Sequence, residues 1–143
     1  MNQRPITEAI IDAIQNAGIP CGDGREPDGA GWNDEMTTFE PYAAIFPIPG
    51  GTRDGTLADW EEDATLVYQA TCVGPTQQSA EALVDEVGVV FKALTSATVG
   101  TLRIDVVRND FGSHQVRRTD DVEPAKPVLF HGTPRYRLWV TPA

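Results

Sequence analysis

Residues 64–73, ATLVYQATCV, gather Val, Tyr, Thr and Cys in a run that favours a pleated backbone, and Gly74 and Pro75 end it abruptly. From Thr76 the period changes. Ala80, Leu83, Val84, Val87, Val90, Phe91 and Leu94 recur at three- and four-residue spacings, while Gln78, Glu81, Asp85, Glu86 and Lys92 take the other side. This predicts a strand over 64–73 and an amphipathic helix from Gln77 to Leu94, with Thr76 as N-cap. The acids sit in the N-terminal half and Lys92 near the C-terminus, as the helix dipole favours. A strand feeding directly into a long one-faced helix is a unit on which a small α+β domain is built, and the remaining elements must pack on it.

Arg4-Pro5 opens a helix predicted over about 5–17, with Ile6, Ile10, Ala13, Ile14 and Ala17 as its apolar stripe and Gly18 as its stop. Gly22 to Thr38 reads as a long acidic, glycine-rich loop, with Trp32 and Phe39 near its end as anchors to the body or as a partner-facing pair. Phe39 to Phe46 reads as a strand, pushed toward an edge or bulge by Pro41, with Tyr42–Phe46 antiparallel to Leu66–Thr71. Beyond the second helix, Thr101–Val107 alternates Leu102, Ile104 and Val106 against Arg103 and Asp105. If that strand lies beside 64–73, the helix between them is a right-handed crossover. The last element, Arg135–Thr141, puts Tyr136, Leu138 and Val140 on one face and Arg135, Arg137 and Trp139 on the other. The fold class that follows is α+β: a mostly antiparallel sheet of four to five strands with two helices packed on one face. At 143 residues it forms a single domain, 1–143, with flexible polar loops expected at 22–38, 47–63 and 109–127.

The formal net charge of −10 argues against a generic nucleic-acid binder. The charge is unevenly spread. Residues 1–63 carry a balance of −10, residues 64–100 of −2 and residues 101–143 of +2. An acidic N-terminal surface on one copy could thus meet a basic C-terminal surface on another. Two cysteines, Cys21 and Cys72, do not make a disulfide framework, and Cys72 reads as a small core residue. No stretch approaches the ~18 consecutive apolar residues of a membrane span, and the N-terminus lacks a signal peptide's apolar segment, so a cytoplasmic site of synthesis is expected.

A search for chemistry returns little. His114 and His131 stand 17 positions apart, and neither pairs with a cysteine at a metal-ligand spacing. Pro49-Gly50-Gly51-Thr52 lacks the lysine of a phosphate cradle and reads as a turn. Asp59, Glu61, Glu62 and Asp63 could pair for acid/base work or calcium, but without regular ligand spacing they read as a solvated face. The expectation is a protein with no catalytic residue, no cofactor and no metal.

The order of these elements, with the phrases Ala17-Gly18-Ile19-Pro20, Pro41-Tyr42-Ala43-Ala44, Pro49-Gly50-Gly51, Tyr68-Gln69-Ala70-Thr71-Cys72-Val73-Gly74, Asp120-Asp121-Val122 and Arg135–Pro142, resembles the tail terminator (tail-completion) proteins of long non-contractile-tailed phages. The resemblance implies a structural virion protein of the tail neck, assembled in the host cytoplasm and not an enzyme. Such a protein forms a hexameric ring that caps the tail tube, ends tube polymerisation and gives the head a docking surface. Its partners would be copies of itself, the tail tube protein and a head-side connector, with DNA passing the bore without specific binding and no membrane involved. Arg103, Arg108, Arg117, Arg118, Arg135 and Arg137 are the candidate subunit or tube interface. Asp59, Glu61, Glu62 and Asp63 are the candidate acidic seam or bore lining, where negative charge would repel DNA phosphates. The rival readings are a head-closure connector of the same particle and, from a different class, a small ligand-binding or hydrolytic α+β domain.

Overall fold

A computed structural model of the chain describes residues 3–33, 38–48, 64–118 and 128–143. In chain order the elements are α1 (Arg4–Asn16), β1 (Cys21–Asp23), β2 (Gly31–Asn33), β3 (Thr38–Glu40), β4 (Tyr42–Ile48), β5 (Ala64–Gly74), α2 (Gln77–Ala93), β6 (Thr98–Val99), β7 (Leu102–Arg118) and β8 (Phe130–Pro142). The class is α+β. Among the described residues the main sheet has six strands in the order β1-β4-β5-β8-β7-β6, and β2 and β3 form a separate two-stranded ladder.

Six strands correct the expectation of four to five, and the sheet is mixed, with one parallel pairing among mostly antiparallel ones. Cys21, read as the end of a brief extended segment, and Gly22 and Asp23, read as the start of a loop, together form β1, which pairs parallel to Ala43–Ile45 of β4. The other pairings are antiparallel. The segment 22–38 also holds β2, where Trp32 sits opposite Phe39 of β3. The register of β4 on β5, Tyr42 opposite Val73 through Ile48 opposite Val67, places the expected hairpin strands side by side. The strand after α2 does not lie beside β5. β8 intervenes, so β5 and β7 run parallel with the C-terminal strand between them. The segment from Asn109, expected to be a flexible polar loop, begins as strand, since β7 continues to Arg118.

Alternation along the strands decides where the core lies. In β5, Ala64, Leu66, Tyr68, Ala70 and Cys72 are buried on the same side as Ala43 and Ile45 of β4 and Tyr136, Leu138 and Val140 of β8. Both helices cover this side. From α1, the Thr7 hydroxyl shares a hydrogen bond of 2.9 Å with the Tyr68 phenol; from α2, Phe91 stacks on Tyr136 with centroids 4.0 Å apart. Such an aromatic pair contributes about 0.5–1.5 kcal/mol beyond the area it buries.

The helix ends follow from local chemistry. The Ser79 amide donates to the Thr76 hydroxyl and the Thr76 amide to the Ser79 hydroxyl, each at 3.1 Å, closing a reciprocal cap on α2. Past the end of α1, Gly18 takes a positive φ of 85°, which glycine adopts without strain. Arg4 holds the start of α1 to the sheet through an ion pair with Asp23 at the end of β1, and pairs with Glu8 one turn along its own helix.

The seat of α2 depends on a missing side chain. A Cβ at Gly132 of β8 would lie 2.7 Å from Cγ2 of Val84, closer than real carbon contacts allow. The expected result for Gly132→Val is a loss of about 1–3 kcal/mol in urea unfolding, as for other overpacked cores. Thr76→Ala should cost about 1 kcal/mol through loss of the cap. Unchanged stability in Gly132→Val would show that α2 does not bear on β8 as described.

Candidate functional site

Five of the six candidate arginines fall on one surface, and strand pairing puts them there. On β8 the residues that alternate with the buried Tyr136, Leu138 and Val140 are Arg135, Arg137 and Trp139, which point away from the helices. β7 adds Arg108 opposite Arg137, Arg103 opposite Thr141 and Arg117 opposite His131. From the row of Arg103 to that of Arg117 the stripe extends about 33 Å along β8. Arg118 departs from the group, because it pairs with Phe130 in the register that belongs to the helix side. The acidic candidates Asp59, Glu61, Glu62 and Asp63 lie outside the described residues.

A bulge in β7 alters the alternation read from the sequence. Ile104 faces Val140 in the core as expected, but Val106 pairs with Trp139 and Val107 with Leu138. One extra residue is accommodated near Asp105. Val106 is therefore turned outward and is 39% exposed, while Val107 packs against the core. The outward turn brings an aliphatic side chain beside Trp139. The guanidinium carbon of Arg108 lies 5.8 Å from the Trp139 ring centroid, within cation–π range.

The arginines are held at different strengths. The Arg135 Nε donates to Oε1 of Gln69 at 3.1 Å, from the directly opposite position on β5. Arg103 donates to Asp105 at 2.6 Å, and the Thr141 hydroxyl donates to the other Asp105 oxygen at 2.7 Å. That hydroxyl first, and then Arg103, hold the Asp105 carboxyl below its usual range. Arg108 and Arg117 are exposed. Arg108 lies directly across from Arg137, an arrangement of like charges that a sheet tolerates at a cost unless an anion or a partner carboxylate approaches.

Sequence reasoning missed Gln69, Val106 and Thr141 as members of this surface. Val67, Gln69 and Thr71 alternate with the buried residues of β5, so Gln69 was accessible to a period-two reading once β5 and β8 were known to be neighbours. Val106 carried no such signal, because nothing in its local pattern announces the bulge.

Elsewhere the chemistry is sparse. His131 lies on the arginine side of β8, opposite Val73 and Arg117. Among the described residues no group of three or more His, Cys, Asp or Glu side chains gathers as metal ligands. No described helix is long and apolar enough to cross a membrane. Cys21 and Cys72 are free and buried. They sit in one row across β1, β4 and β5 with Ala43 between them, so their Cα atoms are about 9–10 Å apart, beyond disulfide reach.

No family model matches the chain, and no curated protein matches it. A solved structure of a protein known only by a sequence identifier is 18% identical, with 96% of each chain covered and a TM-score of 0.44. That likeness is too loose to carry a functional argument.

Burial pushes the Cys72 thiol up to about 12 from an ordinary value of 9.0, and does the same for Cys21. Neither thiol should react with an aromatic disulfide reagent at pH 8 in the native protein, and both should react in urea. A thiol whose folded value is raised favours the native state fully below its unfolded value. That contribution is then lost as pH rises from about 9 toward 12. Rapid labelling of native protein at pH 8 would contradict the burial.

Proposed function

We propose that the chain is a structural protein of a phage tail, a terminator that assembles as a ring on the end of the tail tube, halts tube growth and presents a surface for the head. The observation that carries this reading is the surface on β7 and β8 away from the helices, where Arg103, Arg108, Arg117, Arg135 and Arg137 form a stripe that includes Trp139. Arginine and tryptophan are the residue types on which protein interfaces concentrate their binding energy. Nine of the eleven cations in the chain are arginine, a bias that suits bidentate pairing with carboxylates better than general solvation.

The surface serves a stopper in a definite way. A cationic, partly aromatic sheet face offers an extended area, and such an area recognises another surface by shape and charge. The resemblance of Tyr68–Gly74, of the helix that follows and of Arg135–Pro142 to tail terminators names the setting in which that recognition is used. The ring, the tube contact and the neck location all belong to this proposal. So does the role of Asp59, Glu61, Glu62 and Asp63 as an acidic seam or bore lining.

The test is to add the purified chain to polymerising tail-tube subunits from its own phage and to measure tube lengths and ends by negative-stain imaging. Tubes capped at one end and shorter than in its absence are expected. Tubes that grow as they do without it would overturn the reading. Binding to the portal assembly in place of the tube would favour the head-closure connector.

A further inference from the structure

The sheet is electrically polar from side to side. Its β7–β8 flank bears the arginine stripe, and its β1 flank bears carboxylates: Asp23 ends β1, and Glu26 and Asp28 follow it. These three acids are exposed. Four strand spacings separate β1 from β7, about 19 Å measured along the sheet. Asp23 is tied to Arg4, but Glu26 and Asp28 lie in the segment between β1 and β2, where Arg25 is the one neighbouring cation in sequence.

The two flanks are also unequal as edges. β6 covers β7 only at Leu102 and Arg103, with turn hydrogen bonds reaching Ile104, so among the described residues the outer edge of β7 beyond Ile104 has no neighbouring strand. On the other side β1 covers three residues of β4. Unpaired edges of this length are sites where a second chain is either admitted or held off by charge.

We infer that copies of this chain associate head to tail, with the arginine flank of one copy docked on the β1-flank carboxylates of the next. The inference deepens the terminator reading by assigning this surface to the contact between subunits, leaving the tube to meet another part of the ring. The argument is complementarity. An isologous contact between two arginine flanks would set Arg108 and Arg117 against their own copies. A contact between two acidic flanks would set Glu26 and Asp28 against theirs. A heterologous contact brings opposite charges together and leaves one flank of each kind free at every step, so that rotation can close a ring, whereas a reciprocal two-fold contact of the same flanks would stop at two copies.

A charge-swap experiment tests this on the full chain. Arg108→Glu/Arg117→Glu and Glu26→Lys/Asp28→Lys are made separately, checked for folding by circular dichroism, and followed by sedimentation over a concentration series. Wild-type protein is expected to self-associate, more weakly as salt rises from 0.05 to 0.5 M, in line with screening over about 10 Å at 0.1 M. Each variant alone should dissociate at least about tenfold more readily, since like charges then face each other, and an equimolar mixture should recover association. Wild-type protein that stays monomeric throughout or stops at a dimer, variants that associate as wild type does, or a mixture that fails to recover would each overturn the inference. Tube capping is scored in parallel. Arginine variants that associate normally but no longer cap would move the surface to the tube and leave the terminator reading standing. Head-to-tail association without capping by wild type would remove the terminator reading and leave this inference standing.

Discussion

The close approach of α2 to β8 sets the architecture. Helix and strand meet where Gly132 has no side chain, and Val84 occupies the space a Cβ would fill. With α2 seated there, Phe91 reaches Tyr136, and Tyr68 on the next strand is left to meet Thr7 of α1. Burial raises the phenol of Tyr136, and it raises that of Tyr68 with part of the effect offset by the Thr7 hydrogen bond, so both rings remain neutral members of the core. The two helices thereby occupy one side of the sheet, and the alternating residues of β5, β7 and β8 have to find their partners on the other.

That second side need not have been distinctive. An antiparallel sheet with one solvated face usually shows mixed polar residues there. On β7 and β8 the face is instead dominated by arginine, interrupted by Trp139 and by Val106, which the bulge at Asp105 turns outward. Bulges redirect side chains at edges and near functional surfaces. Here the redirection has a specific product, because without it Val106 would continue the inward series of Leu102 and Ile104, and Trp139 would lose its aliphatic neighbour.

Much of this was legible in the residues. The two helices, the cap at Thr76, the stop at Gly18, the pairing of β4 with β5 and the two faces of β8 all follow from period, turn chemistry and propensity, which act over a few residues. What was not legible depends on contacts between distant segments. β1 is three residues long and exists because β4 is beside it; β8 enters between β5 and β7 because the C-terminal strand pairs with both. The length of β7 was hidden by Asn109 and Gly112, which look like turn residues but are carried by pairing with β8. For the candidate surface, the arginines were visible one by one, and the separation of Arg118 from the rest was not. Its neighbour Arg117 faces the stripe while Arg118 takes the alternate register.

The central claim is that this chain acts through surfaces, with the outward side of β7 and β8 buried when it assembles. Amide hydrogen exchange, measured on the free chain and on the assembled state, tests it most directly. The account predicts new protection in Asp105–Asn109 and around Glu26–Asp28 on assembly, while the amides of α2, already closed within the helix, change little. Assembly that leaves both segments exchanging as in the free chain, with protection gathered instead on the helices, would contradict it.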